Sequence, residues 1–179
     1  MRLFVAVEVN DEYILEKIRS MQESFPFKAK PVRLDQIHFT LQFLGEISEN
    51  KTEKVKKALD AVGFSKFDLT IVGSGAFPNT RNPKVVWLGV DKDGKERMSR
   101  LANDVNEILG AIDLKNEKPF KPHLTVFRIK NRIGDITEEL LKSKDTKFGT
   151  QLISQIVLKK SDLSPNGPEY TNLGTVSGT

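Results

Sequence analysis

The feature that most constrains this chain is a short pattern that occurs twice and uses both of its histidines. Residues 36–46 read Gln-Ile-His-Phe-Thr-Leu-Gln-Phe-Leu-Gly-Glu, and residues 118–128 read Lys-Pro-Phe-Lys-Pro-His-Leu-Thr-Val-Phe-Arg. His38 and His123, 85 positions apart, each begin a His-apolar-Thr-apolar run. Alternation along a β-strand puts His38 with Thr40, and His123 with Thr125, on one face. Phe39, Leu41, Leu124 and Val126 then turn to the other face, toward a core. The fold must therefore bury one side of two strands while displaying an imidazole and a hydroxyl on the other.

A single histidine on a strand is ordinarily a packed or solvated residue, and a single threonine there reflects β-propensity. Two histidines in matched settings point to chemistry instead. Imidazole both accepts and donates a proton near neutrality. Two imidazoles facing one cavity can act as base and acid in the same reaction. Threonine hydroxyls two residues further on can donate to oxygens on which charge develops.

Composition narrows the setting. With 179 residues and 38% hydrophobic content, the chain is expected to form one domain over residues 1–179, or two intimately packed halves, around a sizeable core. No apolar run of about 20 residues is present, so no membrane span is expected. The first strand-like residues, Met1 to Val9, are too short and too soon acidic for a signal peptide. The absence of cysteine excludes disulfides, thiolate metal sites and thiol nucleophiles, and suits a cytoplasmic setting. Two histidines without a carboxylate cluster make a poor metal site, so neither metal nor other cofactor is expected. A net charge of +4 suits an anionic partner, although a lysine-rich solvated surface produces the same excess.

In order along the chain, the pattern predicts a strand at the N-terminus and a helix from an Asn10 cap through about Phe25, closed by Pro26. A short strand over 28–33 leads into the first histidine strand, and a helix over 48–62 stops at Gly63. Alternation over 67–72 predicts a strand, with irregular backbone at Gly73, Gly75, Pro78 and Asn79. A strand over 84–90 and a helix from Asp93-Gly94 to about Leu109 precede the second histidine strand. A short helix over 136–141, a long strand over 151–160 and a last extended piece through Tyr170 and Leu173 complete the chain. The order is roughly βαββα followed by ββαβαββ, two similar halves each giving one histidine strand to a shared cleft.

These residues resemble the two-histidine phosphoesterase superfamily. The resemblance is closest to its RNA 2′,3′-cyclic phosphodiesterase branch, also called 2′-5′ RNA ligase. Besides the two motifs it rests on Leu44-Gly45-Glu46, Phe120-Lys121-Pro122, the start Leu3-Phe4-Val5-Ala6-Val7, Phe77-Pro78-Asn79 through Val90, Arg128, and Leu163-Ser164-Pro165 through Tyr170. It implies an α+β fold of two pseudo-symmetric lobes of mainly antiparallel sheet, with outer helices and a central cleft. It also implies His38 as proton donor, His123 as proton acceptor, and Thr40, Thr125 and Arg128 as substrate-binding residues. Phe127 departs from a position usually small and is expected to reshape a cleft wall; Asp162 departs from one that is often not acidic. Strict alternation puts Arg128 on the face opposite His123, so a bulge or twist is needed to bring it into the site.

The implied activity is metal-independent opening of RNA 2′,3′-cyclic phosphate ends, tRNA fragments among them, to 2′-phosphates by a monomeric enzyme, with 2′-5′ ligation as the reverse. The residue types fit independently, because in-line attack on a cyclic phosphate needs a base for the water and an acid for the departing oxygen. A phosphodiesterase for small cyclic nucleotides and a non-catalytic RNA-binding module are the competing readings. Phe43, Phe77 and Trp87 are candidates for stacking a base, and Arg33, Arg81 and Lys121 join Arg128 as candidates for the RNA backbone, against core and surface roles respectively.

Overall fold

Alternating apolar residues and short turn segments build a single antiparallel sheet. The computed structural model describes residues 1–179. Its strands are β1 (Arg2–Glu8), β2 (Lys30–Pro31), β3 (His38–Glu46), β4 (Phe67–Phe77), β5 (Val85–Val90), β6 (Leu124–Arg128), β7 (Lys147–Ile153), β8 (Gln155–Ser164) and β9 (Gly167–Ser177). The helices are α1 (Glu12–Ser24), α2 (Glu49–Leu59), α3 (Lys92–Gly110) and α4 (Thr137–Leu141), with one 3₁₀ turn at Leu34–Gln36. The sheet order is β7-β4-β5-β6-β3-β1-β8-β9, and β2 pairs separately with β6.

Two lobes follow from this order, β9-β8-β1-β3 and β7-β4-β5-β6. The histidine strands β3 and β6 are the inner strand of each, and they share a single register pair, Phe39 with Leu124. Both residues are fully buried, with Leu41 and Val126 beside them, in one cluster that spans the two lobes. The expected two-lobed α+β fold is thus what the chain adopts. The lobes are not successive halves of the sequence, because β8 and β9 return from the C-terminal end to complete the first.

Helices cover the apolar face. In α3, Met98, Leu101, Ala102, Val105 and Leu109 are all buried, the 3.6-residue stripe expected of a helix packed along one side. Helix α1 leaves the first lobe yet packs on β7 of the second. Gly149 of β7, at φ +141°, makes room for Ile14, whose Cγ1 lies 2.7 Å from where a β-carbon would stand. The Gln151 side chain secures the same crossing: it accepts from the amides of Asn10 and Asp11 at 2.9 and 3.0 Å and donates to the Glu8 carbonyl at 2.9 Å.

Several boundaries differ from the sequence reading, each for a local reason. The α1 cap is Asp11, not Asn10, because the Asp11 carboxylate accepts from the Ile14 amide at 3.0 Å. Helix α3 begins earlier because Asp91 caps the Gly94 amide at 2.7 Å. Strand β4 continues through Gly73 and Gly75 to Phe77, and a bulge absorbs the irregularity. The long strand expected over 151–160 is two strands, β7 and β8, in different lobes. Only two residues of the segment over 28–33 pair as a strand.

Phe127 forms no cleft wall, contrary to expectation. It is 2% exposed and its ring packs 4.5 Å from that of Phe25, on the core side. Phe127→Ala should therefore destabilise the fold by about 3–5 kcal/mol. Urea unfolding would read this loss, and a cost under about 1 kcal/mol would contradict the packing assignment.

Candidate active site

The two motifs hold their imidazoles in the same way. The 3₁₀ turn before β3 brings the Gln36 carbonyl to His38 Nδ1, at 2.7 Å. In the second motif the Lys121 carbonyl meets His123 Nδ1, also at 2.7 Å. Pro122 restricts Lys121 to extended backbone, which helps set that carbonyl. A carbonyl only accepts, so Nδ1 must carry the hydrogen in both rings, and each Nε2 is left as the working nitrogen. His38 Nε2 lies 3.1 Å from Thr40 Oγ1. The hydroxyl donates to the neutral ring and accepts from the imidazolium.

Both motifs also bulge at the same place. Opposite β1, the register passes from Ala6–Thr40 to Val5–Gln42, which leaves Leu41 unpaired. Opposite β5 it passes from Trp87–Thr125 to Val86–Phe127, which leaves Val126 unpaired. Each bulge buries two successive residues, Leu41 with Gln42 and Val126 with Phe127. The residue five after each histidine therefore returns to the histidine face. That residue is Phe43 in the first motif and Arg128 in the second, and both line the cleft. The condition that strict alternation imposed on Arg128 is met by the bulge.

The cleft between the lobes has a volume of about 580 Å³ and is lined by both histidines, both threonines, Arg2, Lys30, Arg33 and Arg128, with no carboxylate. Such a wall favours an anionic ligand. No cluster of three His, Asp or Glu side chains suited to a metal ion occurs. Arg81 and Lys121 do not line the cleft, and Arg33 pairs with Asp35 at 2.7 Å.

The two imidazoles sit in different surroundings. Phe4 lies 5.1 Å from the His38 ring, and Tyr170 meets it edge-on at 5.3 Å. Phe77 meets His123 edge-on at 5.0 Å and is backed by Trp87 at 5.3 Å. Phe77 and Trp87 thus support a histidine, while Phe43, which lines the cleft and is 70% exposed, is the most open of the three stacking candidates. Burial pushes the His38 imidazole down to about 4. The Lys159 and Arg128 cations add to this, whereas the Gln36 carbonyl and the Glu8 carboxylate oppose it.

Sequence reasoning did not single out Arg2, Lys30, Glu8, Lys159 or Asn172, and it noted Phe4 and Tyr170 only as points of resemblance. Alternation along β1 would have put Phe4 and Glu8 on one face. Nothing local to β8 or β9 shows that they border the first motif.

The LigT-like phosphoesterase family matches this chain twice, over residues 7–87 and 88–170, one histidine motif in each. The chain belongs to this family. It is 39% identical over 175 residues to the RNA 2′,3′-cyclic phosphodiesterase of Archaeoglobus fulgidus, across 97% of this chain and 98% of that one. A crystal structure of a Thermus thermophilus protein superposes with a TM-score of 0.76 at 30% identity, covering 99% and 97% of the two chains. The E. coli LigT structure in complex with ATP does so with a TM-score of 0.77 at 26% identity, covering 99% and 98%.

The state of His38 in the free protein is measurable. Its imidazole NMR signals should titrate with a midpoint near 4 rather than 6.5, and the midpoint should rise when inorganic phosphate fills the cleft. Because the folded-state value is the lower one, the folded chain binds this proton less readily than the unfolded chain. Its contribution to stability is therefore lost as the pH falls from about 6.5 toward 4. A free-protein midpoint at or above 6.5 would refute the buried, desolvated site.

Proposed function

We propose that this chain opens RNA 2′,3′-cyclic phosphate ends to 2′-phosphomonoesters, with His38 as proton donor and His123 as proton acceptor. The observation that carries the reading is the pair of imidazoles with identically anchored Nδ1 atoms, facing one cationic cleft that lacks carboxylates. Thr40 and Thr125 donate hydrogen bonds to the phosphoryl oxygens, and Arg128 offsets their charge.

The reaction balances with these groups alone. His123 Nε2 takes a proton from water as the water oxygen bonds to phosphorus. The P–O3′ bond breaks, its electron pair stays on O3′, and His38 Nε2 supplies the proton that makes a 3′-hydroxyl. The two rings end with exchanged protonation and reset through solvent. His38 is neutral in the free site, so the anionic phosphate must supply the negative charge that protonates it. With a 5′-hydroxyl in place of water as the nucleophile, the same groups open the cyclic phosphate in the same direction: the 5′-oxygen bonds to phosphorus, the P–O3′ bond breaks, and a 2′-5′ linkage forms. Dilute solution favours hydrolysis, because ligation also costs the association entropy of two RNA ends.

The surroundings support this division of roles. The leaving oxygen belongs to the nucleoside, and the His38 side offers apolar surface for one: Tyr170, Phe43 and Leu163, the last 81% exposed. Arg128 stands in the motif of His123, where the attacking water approaches. Fragments of tRNA bearing such ends fit as substrates of a monomeric, cytoplasmic enzyme.

His38→Ala and His123→Ala should each lower turnover by roughly 10²–10⁴ without unfolding the chain. In the presence of EDTA, wild type should convert a cyclic-phosphate oligonucleotide to a product with a 2′-phosphate, resistant to a 3′-specific phosphatase. A predominantly 3′-phosphate product would reject the proposed geometry, and faster turnover of small cyclic nucleotides would reassign the substrate. Phe43→Ala should raise KM for a dinucleotide cyclic phosphate by about 5- to 100-fold, the worth of one stacked base. An unchanged KM would take the base away from this wall.

A further inference from the structure

Beneath the aromatic wall of His38 lies a charged cluster that the reaction above does not use. Lys159 is only 6% exposed, yet it extends from the cleft face of β8 to the Glu8 carboxylate, 2.6 Å away. It also donates to Asn172 Oδ1 at 2.8 Å, and Asn172 Nδ2 donates to the same Glu8 oxygen at 3.1 Å. The three residues come from three adjacent strands, with Lys159 in register with both Phe4 and Asn172.

Glu8 is the residue directly opposite His38 in the β1–β3 pair. Side chains so placed have β-carbons about 4.5–5.5 Å apart. The Glu8 carboxylate nonetheless bonds to Lys159 and Asn172, while His38 Nδ1 bonds to the Gln36 carbonyl. Burial by itself raises the Glu8 carboxyl, but Lys159 and Asn172 outweigh it and hold the group below the ordinary carboxylate range. Lys159 is buried and Glu8 half-buried, and an ion pair that takes a charge out of water contributes little net stability over apolar packing, so its place beside the imidazole calls for another account.

We propose that Glu8 is the counter-charge for the His38 imidazolium, and that Lys159 and Asn172 are positioning residues that keep its carboxylate ionised and turned away from the ring. An unrestrained carboxylate opposite His38 would bond to the ring itself or take up the proton meant for the leaving oxygen. The other charged or titratable groups that line the cleft with His38 are Arg2 on β1, Lys30 on β2, Arg33 before the 3₁₀ turn, His123 just before β6, Arg128 on β6 and Tyr170 on β9. Of all these, only Glu8 supplies negative charge at neutral pH. The proposal rests on His38 acting as proton donor.

The test reads the imidazoles directly, which a chain with two histidines permits, with His123→Ala giving the assignment. In Glu8→Gln the NMR titration midpoint of His38 should fall. In Lys159→Met it should rise, and Lys159→Arg should restore it. Glu8→Gln should also lower kcat about tenfold or more with little change in KM. Equal or absent shifts of His38 in Glu8→Gln and Lys159→Met would overturn the proposal. Glu8→Gln is nearly isosteric and carries the test by itself if Lys159→Met does not fold: an unmoved His38 midpoint there overturns the idea. Opposite shifts with unchanged turnover would keep the counter-charge and remove His38 from the donor role instead.

Discussion

The site depends on one backbone contact, the pairing of Phe39 with Leu124. It joins two lobes whose other strands pair only within their own lobe, and it sits one residue after each histidine. Because side chains alternate, burying Phe39 and Leu124 in the shared core turns His38 and His123 to the opposite face. Core packing and cleft assembly are thus one event. A slip of one residue in either strand would bury an imidazole and expose a large apolar side chain.

Symmetry holds for position and fails for environment. Both rings are oriented by a carbonyl two residues earlier, and both motifs bulge after the threonine. Around that shared frame the walls differ: Phe4 and Tyr170 crowd one ring, and Phe77 backed by Trp87 supports the other. Position five after the histidine holds an aromatic ring in one motif and a guanidinium in the other. A proton donor and a proton acceptor of the same residue type need unlike surroundings, and a duplicated frame with divergent neighbours gives the two imidazoles such surroundings. The depressed His38 and the ionised Glu8 opposite it are two sides of that arrangement.

Much of this was legible in the linear order of residues. Two histidines with threonines at the same spacing, apolar residues between them and no cysteine define strand faces and a proton-transfer chemistry, because period-two alternation is a local property of extended backbone. The helical stripe of α3 was readable for the same reason at a different period. Tertiary structure alone decided the rest. Whether Arg128 reached the cleft turned on a bulge, which depends on the partner strand and not on the residues of β6. Phe127 went to the core and Phe43 to the cleft for the same cause. The Glu8–Lys159–Asn172 cluster draws on residues up to 164 positions apart, and such a charge network exists only once the sheet order is set.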